Sequence, residues 1–227
     1  MNVEFIHRPG NAAARLTLAE NESVVAEGGA MISMSDNIEI TTSTQQKAKG
    51  GFIKGLKRAL VGESFFLNHF KALQPDAEVI VSTTLSGDMT TLELEGNRII
   101  VQSGSFVACE ESVDMDLGWQ GFKSLFSKEG LFWLNLSGAG RVVINSFGAI
   151  YPIAVNGEYI VDTGHIVAFD ETLNFQLSKA GKSWVSSILG GEGLVCRFNG
   201  TGTVWCQSHN ITAFGRSLGP QLKPIKS

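Results

Sequence analysis

The chain has 227 residues, 43% of them hydrophobic and 18% charged, with a formal net charge of −4 at pH 7. This apolar content suffices for a packed core and excludes a disordered chain. The acidic balance weighs against a general nucleic-acid binder, and no apolar run approaches the roughly 18 residues of a membrane-spanning helix.

The predicted elements begin with strand-like "RLTLAENE" (residues 15–22), followed by "SVVAEGGAMISM" (23–34) and the alternating "NIEITTS" (37–43). Alternation of apolar and polar residues predicts half-buried strands. Residues 47–62, "KAKGGFIKGLKRALVG", then read as a basic amphipathic helix. Ile53, Leu56 and Leu60 share one face, while Lys54, Lys57 and Arg58 lie opposite. Two more strands follow, "GESFFLNHF" and "AEVIVST".

The same order then recurs twice. "SVVAEGGAMISM" is matched by "RIIVQSGSFVAC" (98–109) and "EYIVDTGHIVAF" (158–169), with Gly29, Gly104 and Gly164 in one slot. Glycine there suits a turn residue with positive φ. Gly96-Asn97 and Asn156-Gly157 precede the second and third copies and predict hairpin turns. "SVDMDLG" and "TLNFQLS" repeat the alternating strand, and "WQGFKSLFSK" (119–128) and "GKSWVSSILG" (181–190) repeat the helical insert. Each copy ends in a predicted strand pair: "EGLFWLNLSG" with "GRVVINS", then "EGLVCRFNG" with "GTVWCQS". Glu63, Glu129 and Glu192 open these pairs.

The expected architecture is therefore mainly β: three repeated β-sandwich units, each with a short helical insert, packed as one body. The boundaries fall at residues 1–87, 88–149 and 150–214, with a C-terminal tail at 215–227 that carries no periodicity. The apolar stripe of the inserts reads as packing. The charge concentrated in the first insert, Lys47, Lys49, Lys54, Lys57 and Arg58, is the candidate contact with a protein partner or an anionic membrane surface.

Catalytic chemistry is sparse. The segment 215–219, "GRSLG", matches a nucleophile elbow, but Pro220 follows and no histidine lies downstream. The three cysteines show no C-x-x-C spacing, so no zinc site is expected. Cys196 and Cys206 flank the turn-like "NGTG", where they face each other across a hairpin as reduced thiols or as a redox pair. The best polar cluster is Asp162, His165, Asp170 and Glu171 around the third turn. It reads as turn stabilisation, with a small-ligand or metal-dependent enzyme as the alternative. No cofactor, metal or catalytic residue is assigned.

Several separated segments, "GGFIKGLKRALVGESFFLNHF", "VQSGSFVACEESVDMDL", "GEGL" and "YIVDTGHIVAFDETL", resemble the altered-inheritance-of-mitochondria family, member twenty-four, over about residues 3–214. The resemblance implies three repeated β units similar to the fold of the tryptophan RNA-binding attenuation protein. It implies an association with mitochondrial inner-membrane organisation in the yeast relative and supplies no catalytic motif. The expectation is a non-enzymatic scaffold or binding protein, forming a homo-oligomer such as a trimer. RNA or nucleotide binding is the alternative by fold analogy, which the net charge opposes. No basic segment leads into an apolar one after Met1, so a cytoplasmic chain, at most peripheral to a membrane, is expected.

Overall fold

The computed structural model describes residues 1–43, 66–116, 133–179 and 194–222. The three helical inserts, the basic residues Lys47, Lys49, Lys54, Lys57 and Arg58, and the glutamates Glu63, Glu129 and Glu192 lie outside the described residues.

The protein is mainly β and its strand pairings are antiparallel. In chain order the first strands are β1 (Asn2–Ile6), β2 (Ala13–Leu18), β3 (Ser23–Glu27), β4 (Met31–Met34), β5 (Ile38–Ser43), β6 (Leu67–Ala72) and β7 (Ala77–Val81). They continue with β8 (Met89–Gln102), β9 (Phe106–Glu110), β10 (Val113–Asp116), β11 (Trp133–Asn145) and β12 (Ile150–Asp162). The last are β13 (Ile166–Asp170), β14 (Asn174–Lys179) and β15 (Leu194–Gln207). One sheet has the order β1-β2-β7-β4. The larger sheet runs β12-β15-β13-β8-β11-β9-β3-β6-β5, with β10 beside β11 and β14 beside β15.

Strand alternation sorts side chains into three buried clusters. One gathers Leu16, Leu18, Val24, Phe70, Val79 and Val81. The second centres on Ile99, Val101, Phe106, Leu134, Leu136 and Ile144. The third holds Ile100, Trp133, Phe169, Phe198 and Val204, where the Phe169 ring meets Trp133 edge-on at 5.7 Å. Each fully buried Leu, Ile or Phe contributes about 1.5–3 kcal/mol of apolar transfer.

The hairpins expected at Gly96-Asn97 and Asn156-Gly157 do not form. Both dipeptides lie inside continuous strands, β8 and β12. The ladder of β8 with β11 continues on either side of Gly96, with a register shift between Ser137 and Ala139. Gly96 (φ 93°), Gly138 (φ 103°) and Gly157 (φ 98°) take the left-handed backbone needed where a long strand bends or bulges. Among the described residues, the expected pair "EGLFWLNLSG" and "GRVVINS" is likewise one strand, β11, from Trp133 to Asn145, and "NGTG" lies within β15. In the N-terminal part the strands do separate. Asn21 (φ 62°) turns the chain between β2 and β3, and Asp76 (φ 57°) between β6 and β7.

Cys196 and Cys206 therefore do not face each other. They lie ten residues apart on β15, opposite Val161 and Tyr151 respectively. At about 3.3 Å per residue this far exceeds the ~7 Å Cα limit of a disulfide. Both thiols are free and buried, and burial pushes each up to about 12.

The start of the tail, expected to be aperiodic, is helical. Helix α1 (Ile211–Leu218) begins at Asn210, whose side-chain oxygen accepts the Ala213 N–H at 3.0 Å. Phe214 of α1 stands edge-on to Phe147 at 5.3 Å. The N-cap asparagine was the available sequence signal. No helix among the described residues is long and apolar enough to cross a membrane.

Candidate functional site

The three glycine turns differ in backbone. Gly29 has φ 90°, as expected for its slot. Gly104 and Gly164 instead sit in 3-10 turns, Ser103–Ser105 and Thr163–His165, outside the left-handed region. Gly164 is glycine for space: a Cβ there would lie 2.1 Å from Asn210 Nδ2. Nothing in the structure explains glycine at position 104.

Buried amides hold the two 3-10 turns. Gln207 Nε2 donates to Gly164 O at 3.0 Å, and its Oε1 accepts the Phe147 N–H at 2.9 Å. Asn145, with its amide nitrogen toward the turn, donates to Ser105 O at 3.0 Å. Each amide sits near the C-terminal end of a long strand, where satisfying a buried polar group fixes a loop.

The polar cluster expected around His165 does not converge. Asp162 Oδ1 accepts the Gly164 N–H at 2.8 Å. His165 Nδ1 lies 2.8 Å from Gln207 O, so that nitrogen carries the proton and donates to the carbonyl. Asp170 Oδ2 accepts the Thr203 N–H at 2.7 Å, and Glu171 meets Arg98 at 3.5 Å. His165 precedes β13, while Asp170 ends that strand and Glu171 follows it, a separation of about 15 Å along the extended chain. Each group serves a separate structural bond. Among the described residues, no three His, Cys, Asp or Glu side chains are arranged to hold a metal.

Two carboxylates missed in the sequence have unusual settings. Asp88, nearly buried, receives Arg8 through both oxygens at 2.7 and 2.8 Å. The guanidinium holds its carboxyl below the usual range. Glu27, half-buried at the end of β3, is pushed up to about 7 by loss of water. Neither carries a pattern that marks it in the sequence.

The clearest surface feature is a pair of apolar strand edges. β4 ends the smaller sheet and β12 ends the larger one, with no strand beyond either among the described residues. β4 exposes Met31, Ile32 and Met34, with Ile32 60% accessible. β12 exposes Tyr151, Tyr159 and Ile160, with Ile160 48% accessible. α1 and the turn after it add exposed Phe214, Leu218 and Leu222. Folded chains usually cover or charge such edges, which sets these two strands apart among the described residues.

These features define a mainly β protein of extensive antiparallel sheets, with exposed apolar side chains on two edge strands. The chain belongs to the family described as Mitochondrial biogenesis AIM24, whose model matches residues 3–209. It is similar to an uncharacterized protein of Streptococcus pyogenes serotype M6, at 28% identity over 209 residues, covering 89% of this chain and 84% of the relative. It is also similar to a crystal structure of another Streptococcus pyogenes protein, a structural-genomics target. That match has a TM-score of 0.78 and 26% identity, covering 97% of this chain and 99% of the other.

Proposed function

We propose that the protein is a non-enzymatic scaffold or binding protein, built from three copies of one β unit at residues 1–87, 88–149 and 150–214. The supporting observation is a shared irregularity of register. β9 meets β11 with Phe106, Ala108 and Cys109 opposite Ile144, Val143 and Val142. β13 meets β15 with Ile166, Ala168 and Phe169 opposite Cys206, Trp205 and Val204. β4 meets β7 with Met31, Ser33 and Met34 opposite Val81, Ile80 and Val79. Each skips one residue at the same place after the glycine turn. A coincident bulge is a feature of the unit, since bulges are conserved geometric devices.

The binding part of the reading rests on the bare apolar edges of β4 and β12. The polar groups around His165 are engaged in turn and strand bonds, which favours their structural role. The basic residues Lys47, Lys49, Lys54, Lys57 and Arg58 extend the proposal to a cytoplasmic protein that attaches to an anionic membrane surface.

Native mass spectrometry of the protein isolated gently from its own cells tests this. The reading expects a chain that retains copies of itself, another protein or lipid. A stoichiometric small molecule or metal, lost on His165→Ala, would replace it with the enzyme reading.

A further inference from the structure

Two junctions inside the chain are built alike. β9 lies against β3, with Ala108, Cys109 and Glu110 opposite Ala26, Val25 and Val24. β13 lies against β8, with Ala168, Phe169 and Asp170 opposite Val101, Ile100 and Ile99. Every apolar residue in these two sets is at most 2% exposed.

The same slots occur a third time with no strand against them among the described residues. The register of β4 on β7 makes Ser33 and Met34 the counterparts of Ala108 and Cys109, and Ser35 follows in the slot of Glu110. On β12, the alignment of "EYIVDTG" with "SVVAEGG" and "RIIVQSG" makes Val161, Ile160 and Tyr159 the counterparts of Val101, Ile100 and Ile99. Here Met34, Ile160 and Tyr159 are 39%, 48% and 44% exposed. One strand edge of each kind is left over. The folded chain does not pair them with each other.

We infer that β4 of one copy adds antiparallel to β12 of a second copy, with Ser33 opposite Val161, Met34 opposite Ile160 and Ser35 opposite Tyr159. The inference rests on the threefold reading above and names its partner, a second copy of this chain. Strand addition satisfies the open N–H and C=O groups of both edges and buries the apolar side chains that the internal junctions already bury. The two surfaces differ, so the contact is head-to-tail and builds a ring or an open string of copies.

One difference sets its strength. At the junction of β13 with β8, Arg98 reaches Glu171. The counterparts are Glu158 on β12 and Asp36 after β4, two like charges, and like charges directly opposite weaken a strand pair. The junction between copies is therefore weaker than those within the chain. Glu158→Arg restores the opposite-charge arrangement and is expected to shift association to about five- to tenfold lower concentration.

The test is a mixture of two single variants, Met34→Cys and Ile160→Cys, oxidised mildly and run without reductant. Both positions are exposed, so each variant keeps its core. A covalent dimer forming in the mixture and not in either variant alone supports the head-to-tail register. Dimers that form equally in the separate samples overturn it, as does a mixture with no dimer in the Glu158→Arg background at high concentration. Failure here with another protein or lipid still retained in native mass spectra leaves the scaffold reading standing. A stoichiometric small molecule lost with His165 would overturn that reading instead.

Discussion

Gly157 stands directly opposite Gly200 in the ladder between β12 and β15, and both are left-handed, at φ 98° and 126°. Two long strands thus change direction together without interrupting their hydrogen bonds. A Cβ at Gly200 would also come within 3.3 Å of the Thr172 carbonyl oxygen, while one at Gly157 meets nothing within 4 Å. Gly200→Ala is expected to cost about 1–3 kcal/mol, and Gly157→Ala less. Urea midpoints of the two variants check both the size and the order.

Asp88 and Arg8 form the best-aligned ion pair of the described residues, with the carboxylate nearly buried and the guanidinium half-exposed. The folded carboxyl lies below its ordinary value, so its contribution is present above the unfolded pKa and is lost as pH falls through the folded one. Asp88→Asn should cost about 1–3 kcal/mol at pH 7. The difference from wild type should shrink on acidification below about pH 4, as a pH series of thermal melts would read.

Glu27 behaves in the opposite sense. Its folded value of about 7 lies above the unfolded one, so the protein is favoured while the group is protonated. That advantage is lost as pH rises toward and through 7. Glu27→Gln should be more stable than wild type at pH 8, by about 1–3 kcal/mol, with the gap closing near pH 4. A gap independent of pH would show that Glu27 does not titrate in this way.

The basic segment makes a separate prediction. If it meets an anionic surface, the protein floats with phosphatidylserine vesicles at low salt, and reversing Lys54, Lys57 and Arg58 together abolishes flotation. Neutral vesicles should retain neither form.

The strand content was legible because alternation at "LTL", "IEI" and "VDMD" places one face inward. Long strands were harder to see. Asn-Gly and Gly-Asn report only a need for positive φ, which a bulge inside β8 or β12 meets as well as a hairpin does. The polar cluster failed because closeness along β13 is not closeness in space: an extended strand carries His165 and Asp170 to opposite ends. The open edges could not be read at all. Met31, Ile32 and Ile160 have the same apolar character as Phe106, Val107 and Ile100, and only the pairing of strands reveals which set is uncovered.

The most direct test of an interaction scaffold with open edges is amide hydrogen exchange at two protein concentrations, tenfold or more apart. The account predicts that residues 33–35 and 159–161 gain protection as concentration rises, while residues 99–101, paired within the chain, stay protected throughout. Exchange at both edges that does not change with concentration would contradict it.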